Sequence, residues 1–136
     1  MPACIRRTVF LALIVALATF SACGGGGSSD SGTLLSARTL SWEPPTSYVD
    51  KTSMDPVTDL DRFEIYVNES GSFTETETPL AAISAVNKST HTLTTSFNLA
   101  HIGPPLTVGP QYYVSLRAVA ITGLKSDFSP PVSFSF

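Results

Sequence analysis

Thiols are scarce in this chain of 136 residues, which holds only Cys4 and Cys23. Both lie near the N-terminus. The 104 residues of segment 33–136 therefore contain none, and no disulfide can staple them. Their stability must come from an ordinary hydrophobic core, and that length suits one domain but not two. Bases are also few. With Arg6 and Arg7 set aside, six Lys and Arg face eleven Asp and Glu, a net charge of −5. Without clustered bases the chain is a poor binder of phosphate backbones or anionic lipid surfaces, and no nucleic-acid partner is expected. Long apolar runs are missing too. The longest, 9–20, is twelve residues, and a spanning helix needs roughly 20. Helical periodicity is absent after Gly32. So are Gly-x-Ser-x-Gly, His-Glu-x-x-His and any glycine loop between a strand and a helix that would cradle phosphate. Nothing in the spacing brings the two histidines, His91 and His101, together. Catalysis needs converging groups, so neither an enzyme nor a cofactor is expected.

What is present begins with a leader: Arg6-Arg7, the apolar stretch 9–20, then Ser21-Ala22-Cys23. This is the basic, apolar and small-residue layout of a secretory signal. With a cysteine at the junction, Phe20-Ser21-Ala22-Cys23 resembles the signal of a bacterial lipoprotein, although that family prefers Leu where Phe20 stands. The resemblance implies a signal peptide over 1–22, and Cys23 carrying palmitate-type acyl chains as the first mature residue. One acyl chain anchors only marginally, at about 0.8 kcal/mol per buried methylene. The several chains of this lipoprotein type imply stable membrane attachment. Gly24, where an Asp would favour inner-membrane retention, points to the outer membrane of the cell envelope. The alternative is ordinary secretion with cleavage after Ala18, using Ala16-Leu17-Ala18. Segment 23–32 continues as GGGGSSDSG after the cysteine, a flexible tether with a span of roughly 15–18 Å.

The remainder, 33–136, alternates with period two. Leu40 and Trp42 alternate with Thr39, Ser41 and Glu43. Phe63, Ile65 and Val67 alternate with Glu64, Tyr66 and Asn68, and Tyr112, Val114, Leu116 and Ala118 with Tyr113, Ser115, Arg117 and Val119. Leu93, Phe97 and Leu99 form a further apolar set. One apolar face per strand predicts an all-β fold of antiparallel sheets packed face to face, with a small barrel as the alternative. Three stretches then resemble a fibronectin type III domain: Leu40-Ser41-Trp42-Glu43-Pro44-Pro45, Leu60-Asp61-Arg62-Phe63-Glu64-Ile65-Tyr66, and the run from Leu106 through Tyr112 to Ala118. The resemblance implies an immunoglobulin-like two-sheet sandwich over 33–136. It also implies a core tryptophan at Trp42 and a tyrosine corner at Tyr112, whose hydroxyl bonds upstream backbone. In the same family Ser126-Asp127-Phe128-Ser129-Pro130-Pro131 leads into the last strand. The first strand, around 33–36, is short, and the connection from Ala100 to Gln111 is long enough to protrude.

Two groups of residues carry candidate chemistry. Glu43, Asp50, Asp55, Asp59, Asp61 and Glu64 gather between the second and third strands, with Asp59 and Asp61 the best pair for a hard cation. Their spacing forms no EF-hand loop, and no metal is expected. On the outward face, the neighbouring third and sixth strands of the resembled fold would bring Glu64 and Tyr66 near Tyr113, Ser115 and Arg117. Glu64, Tyr66, Tyr113 and Arg117 then form either a docking patch or cross-strand pairs that merely stabilise the sheet. The expected role is a membrane-anchored, non-catalytic binding or structural module with a protein partner. A carbohydrate-binding accessory module with a polysaccharide partner is the first alternative, and a small enzyme with an unrecognised site is the second. Because one fold hosts many roles, the step from fold to role rests on analogy.

Overall fold

The computed structural model describes residues 35–136, so the leader, Cys23, the tether and the first two residues of the 33–136 domain lie outside the described residues. The elements are β1 (Thr39–Ser41), α1 (Pro56–Asp59), β2 (Leu60–Asn68), β3 (Ala81–Ser84), β4 (Val86–Asn87), β5 (Thr92–Leu93), β6 (Ser96–Asn98), a 3-10 turn (Leu99–His101), β7 (Tyr112–Ala120) and β8 (Val132–Phe134). Every strand pairing is antiparallel. Four strands form one sheet in the order β3-β2-β7-β8, β1 pairs β6, and β4 pairs β5. The fold is all-β. Leu35 and Ser36, where the first strand was expected, carry no regular structure. The expected strand over 92–99 is split, because Thr94 and Thr95 separate β5 from β6 and Leu99 opens the 3-10 turn.

Local chemistry explains the elements. β2 and β7 are the long strands, rich in β-branched and aromatic residues that fit a pleated surface. α1 starts where Asp55 caps it by accepting from the Val57 N–H at 3.0 Å, with Pro56 at the first helical turn. Asn98 likewise caps the 3-10 turn through the Ala100 N–H at 3.0 Å. The inward residues of β1, β2 and β7 meet in one core of Leu40, Trp42, Phe63, Ile65, Val114, Leu116 and Ala118, completed by Met54, Leu60, Ala85, Leu99 and Ile102. Trp42 meets Phe63 edge-on with ring centroids 5.1 Å apart. Phe63 and Ile65 have no exposed surface, and burial of such a side chain contributes about 1.5–3 kcal/mol. The long loop before β7 packs back rather than protruding throughout: Ile102 is buried, Leu106 is half-buried, and Val108 is exposed.

The β2–β7 register defines two poles. Leu60 lies opposite Ala120 at one, and Asn68 lies opposite Tyr113 at the other. The described chain enters at the second. Arg38 donates through Nε to the Ser135 carbonyl at 3.0 Å, just beyond Phe134, which pairs with Tyr112. β1 then leads past Trp42 into the 43–59 loop, which returns to β2 at the first pole. There the Ile121 N–H donates to the Asp59 carbonyl at 2.9 Å, joining that loop to the turn after β7.

Candidate functional site

Glu64, Tyr66 and Arg117 are brought together on the outer face of β2 and β7, with Glu64 opposite Arg117 and Tyr66 opposite Ser115. Tyr113 lies opposite Asn68. The face is not the open one that alternation implies. Glu64 is 3 % exposed, Tyr66 2 % and Arg117 6 %. The cover comes from Phe128, whose ring meets Tyr66 edge-on at 5.0 Å and stacks on Phe73 at 5.8 Å. The Arg117 guanidinium sits 4.6 Å from the centre of the same Phe128 ring. Tyr113, half-buried, passes under Gly71 at φ +73°; a Cβ there would lie 3.1 Å from the ring, so only glycine suits both backbone and space.

Each buried charge has partners. Glu64 accepts at Oε1 from Arg62 Nε and Nη2 at 3.1 and 2.8 Å. At Oε2 it accepts from the Tyr66 hydroxyl at 2.6 Å and Lys125 Nζ at 2.7 Å. Burial alone pushes this carboxyl up, but the bonds from Lys125, Tyr66 and Arg62 together hold it at about 2. Burial and the adjacent Glu64 carboxylate push the Tyr66 phenol well above the tyrosine range, so it stays a donor. Arg117 donates from Nε to the Ser126 carbonyl and from Nη1 to Glu75, both at 2.6 Å. Glu64 and Arg117, though opposite each other, thus take different partners. Lys125, Arg62, Glu75 and Phe128 were not legible as members of this cluster. Val119, an apolar residue at an outward position of β7, was the available signal that the strand is covered on both faces.

The other candidates lie apart from this cluster. His91 is exposed in the turn between β4 and β5, and His101 is exposed in the 3-10 turn. Asp59 accepts from the Asp55 N–H at 3.0 Å, and Asp61 pairs with Arg62 at 2.6 Å, so these two carboxylates serve different neighbours. Among the described residues, no group of three or more His, Cys, Asp or Glu is placed to hold a metal ion. The tyrosine-corner position has a defined geometry: the Tyr112 hydroxyl accepts from the Thr107 N–H at 3.2 Å and lies 2.8 Å from its hydroxyl.

A second surface, not singled out by sequence, occupies the Leu60–Ala120 pole. Among the described residues the exposed large hydrophobics are Val57, Val108, Ile121 and Leu124. Three of the four belong to this pole, and Val108 precedes the far end of β7. Ile121 is 67 % exposed. A shallow cleft beside it is lined by Pro45, Tyr48, Met54, Leu60, Ala120 and Leu124 among others. Its walls are held by backbone bonds: Met54 N–H to Thr46 O at 3.0 Å, Tyr48 N–H to Thr52 O at 2.9 Å, and Gly123 N–H to Ala120 O at 2.8 Å. Gly123, at φ +84°, supplies the left-handed residue this hairpin turn needs. The surroundings are acidic, with Asp50 and Asp55 exposed and Asp59 half-buried near Tyr48.

The chain matches no protein-family model, no curated protein and no solved structure.

Proposed function

We propose that this protein is a lipid-anchored, non-catalytic binding module of the bacterial cell envelope, held at the outer membrane through Cys23 and engaging a protein partner. Its domain is read as a fibronectin type III-like, immunoglobulin-type sandwich. The sheet order β3-β2-β7-β8, the β1–β6 pair sharing the same core, the buried Trp42 and the Tyr112–Thr107 bond all support that reading. One observation carries the functional part. The described chain enters beside Ser135 at one pole, while Val57, Ile121 and Leu124 are exposed at the other. A tether attached at the Asn68–Tyr113 pole leaves the Leu60–Ala120 pole free to meet a partner. The carbohydrate alternative needs an open aromatic platform, and Tyr66, Phe73 and Phe128 instead pack on one another.

The anchoring is tested with the full chain in a Gram-negative host. Wild type should fractionate with outer membranes and Cys23→Ser should not; a membrane-bound Cys23→Ser protein overturns the anchor. The binding pole is tested by placing a photo-crosslinking residue at position 121 or at position 108 in the anchored protein. Protein adducts are expected at 121 only. Equal adducts at both positions, or none at 121, overturn that pole.

A further inference from the structure

We infer that the Leu60–Ala120 pole docks a segment of another protein carrying apolar side chains flanked by Lys or Arg. This inference rests on the reading above that this pole is the binding end. Leu124 lines the cleft with Met54 and Leu60, Ile121 follows its lining residue Ala120, and Val57 is exposed three residues before Leu60. These side chains stand on supports that are already ordered. Val57 sits in a helical turn capped by Asp55, and Ile121 in a turn pinned to the Asp59 carbonyl. A preordered apolar surface loses little conformational freedom on binding.

Charge decides the occupant. The stretch 43–61 contains Glu43, Asp50, Asp55, Asp59 and Asp61 against a single Lys51. Two further bases lie nearby: Arg62 is paired with Asp61 at 2.6 Å and with Glu64 at 2.8 Å, and Lys125 is held by Glu64 at 2.7 Å, which leaves Glu43, Asp50, Asp55 and Asp59 against Lys51. A field of this sign attracts cations to the rim and repels anionic lipid and nucleic acid. Position points the same way. β2 is nine residues long, and at about 3.3 Å per residue it separates the poles by roughly 30 Å. The exposed apolar residues thus lie at the end of the domain opposite the one the tether reaches. An apolar centre with a charged rim matches the layout of protein docking sites, where the rim steers and the centre holds.

The test uses the full chain bearing Cys23→Ser, isotopically labelled, with three twelve-residue probe peptides: alternating Leu/Lys, Leu/Glu and Ser/Lys. The Leu/Lys peptide should shift amide resonances within 48–60 and 119–125, and bind at least tenfold more tightly than either of the others. The double substitution Ile121→Ser with Leu124→Ser should weaken that peptide at least tenfold and leave the urea midpoint unchanged, since both side chains are exposed. Equal binding of Leu/Lys and Leu/Glu overturns the inference. So do shifts centred on another surface, binding of anionic vesicles at this pole, or no binding of any peptide at millimolar concentration. Failure here with crosslinks still confined to position 121 removes the partner chemistry and leaves the binding pole. Loss of those crosslinks removes the pole itself.

Discussion

Glu64 is a carboxylate that burial opposes and three donors retain. Arg62, Lys125 and Tyr66 all point at its two oxygens, with donor distances from 2.6 to 3.1 Å. Its folded pKa of about 2, against an ordinary value of 4.5, has a definite sign for stability. A depressed carboxylate stabilises the fold above the unfolded value, and that contribution is lost as pH falls from about 4.5 toward 2. The magnitude is on the order of 3 kcal/mol. Glu64→Gln should therefore lower stability at pH 7 by about 2–4 kcal/mol in urea unfolding. The gap between wild type and variant should narrow when the same titration is run near pH 2.5. A gap of equal size at both pH values would show that the negative charge contributes nothing. In the sequence, Glu64 and Tyr66 were legible as neighbours on one outward face. Their burial was not, because the cover comes from Phe73 and Phe128, which lie in loops where no period marks them.

At the scale of elements, the outer edge of β7 is closed in an unusual way. β8 pairs with β7 only from Tyr112 to Val114. Beyond that, Ser129 lies opposite Leu116 and Ser126 opposite Ala118, so three chain steps run against two and the returning segment bulges. The bulge displaces the carbonyls that would serve β7, and serine hydroxyls replace them. The Leu116 N–H donates to Ser129 Oγ and the Ala118 N–H to Ser126 Oγ, both at 2.9 Å. Pro130 and Pro131 follow, where no donor is required. Ser129→Ala should strand a buried N–H at a cost of about 1–3 kcal/mol. Hydrogen exchange should report it as faster exchange at Leu116 with little change at Val114; unchanged protection at Leu116 would show that the hydroxyl is dispensable. This device leaves no periodic trace, so the sequence could place a final strand but not the mode of its pairing. β7 was legible because it alternates over its nine residues, and β2 because it alternates from Phe63 to Asn68, beyond the irregularity between Leu60 and Arg62. β3 and β4 were not read, since four and two residues are too few to set a period. α1 was not read either, since its four residues carry no apolar repeat.

At the scale of the whole molecule, one core joins the β1–β6 pair to the four-stranded sheet through Trp42 and Phe63. A shared core implies a single cooperative transition. Trp42, the only tryptophan, makes this measurable: its emission and the far-UV circular dichroism of the full chain should change at one urea concentration. A dichroism signal that outlasts the emission would mean that the outer cluster around Phe128 holds its sheet independently. Trp42→Ala should cost about 3–5 kcal/mol, a large share of the stability of a domain this size. The Trp42 Nε1 has no hydrogen-bond partner among the described residues, so its worth lies in packing. The placement of Arg38 beside Ser135, opposite Ile121, also has a mechanical meaning. Under the proposed anchor and docking pole, a pull between the two ends would run along the strands. The rungs between β1, the strand next to the tether, and β6 would then be loaded side by side in shear, rather than torn one after another as in unzipping. A tug on such a mooring would meet the stiffest direction of the molecule.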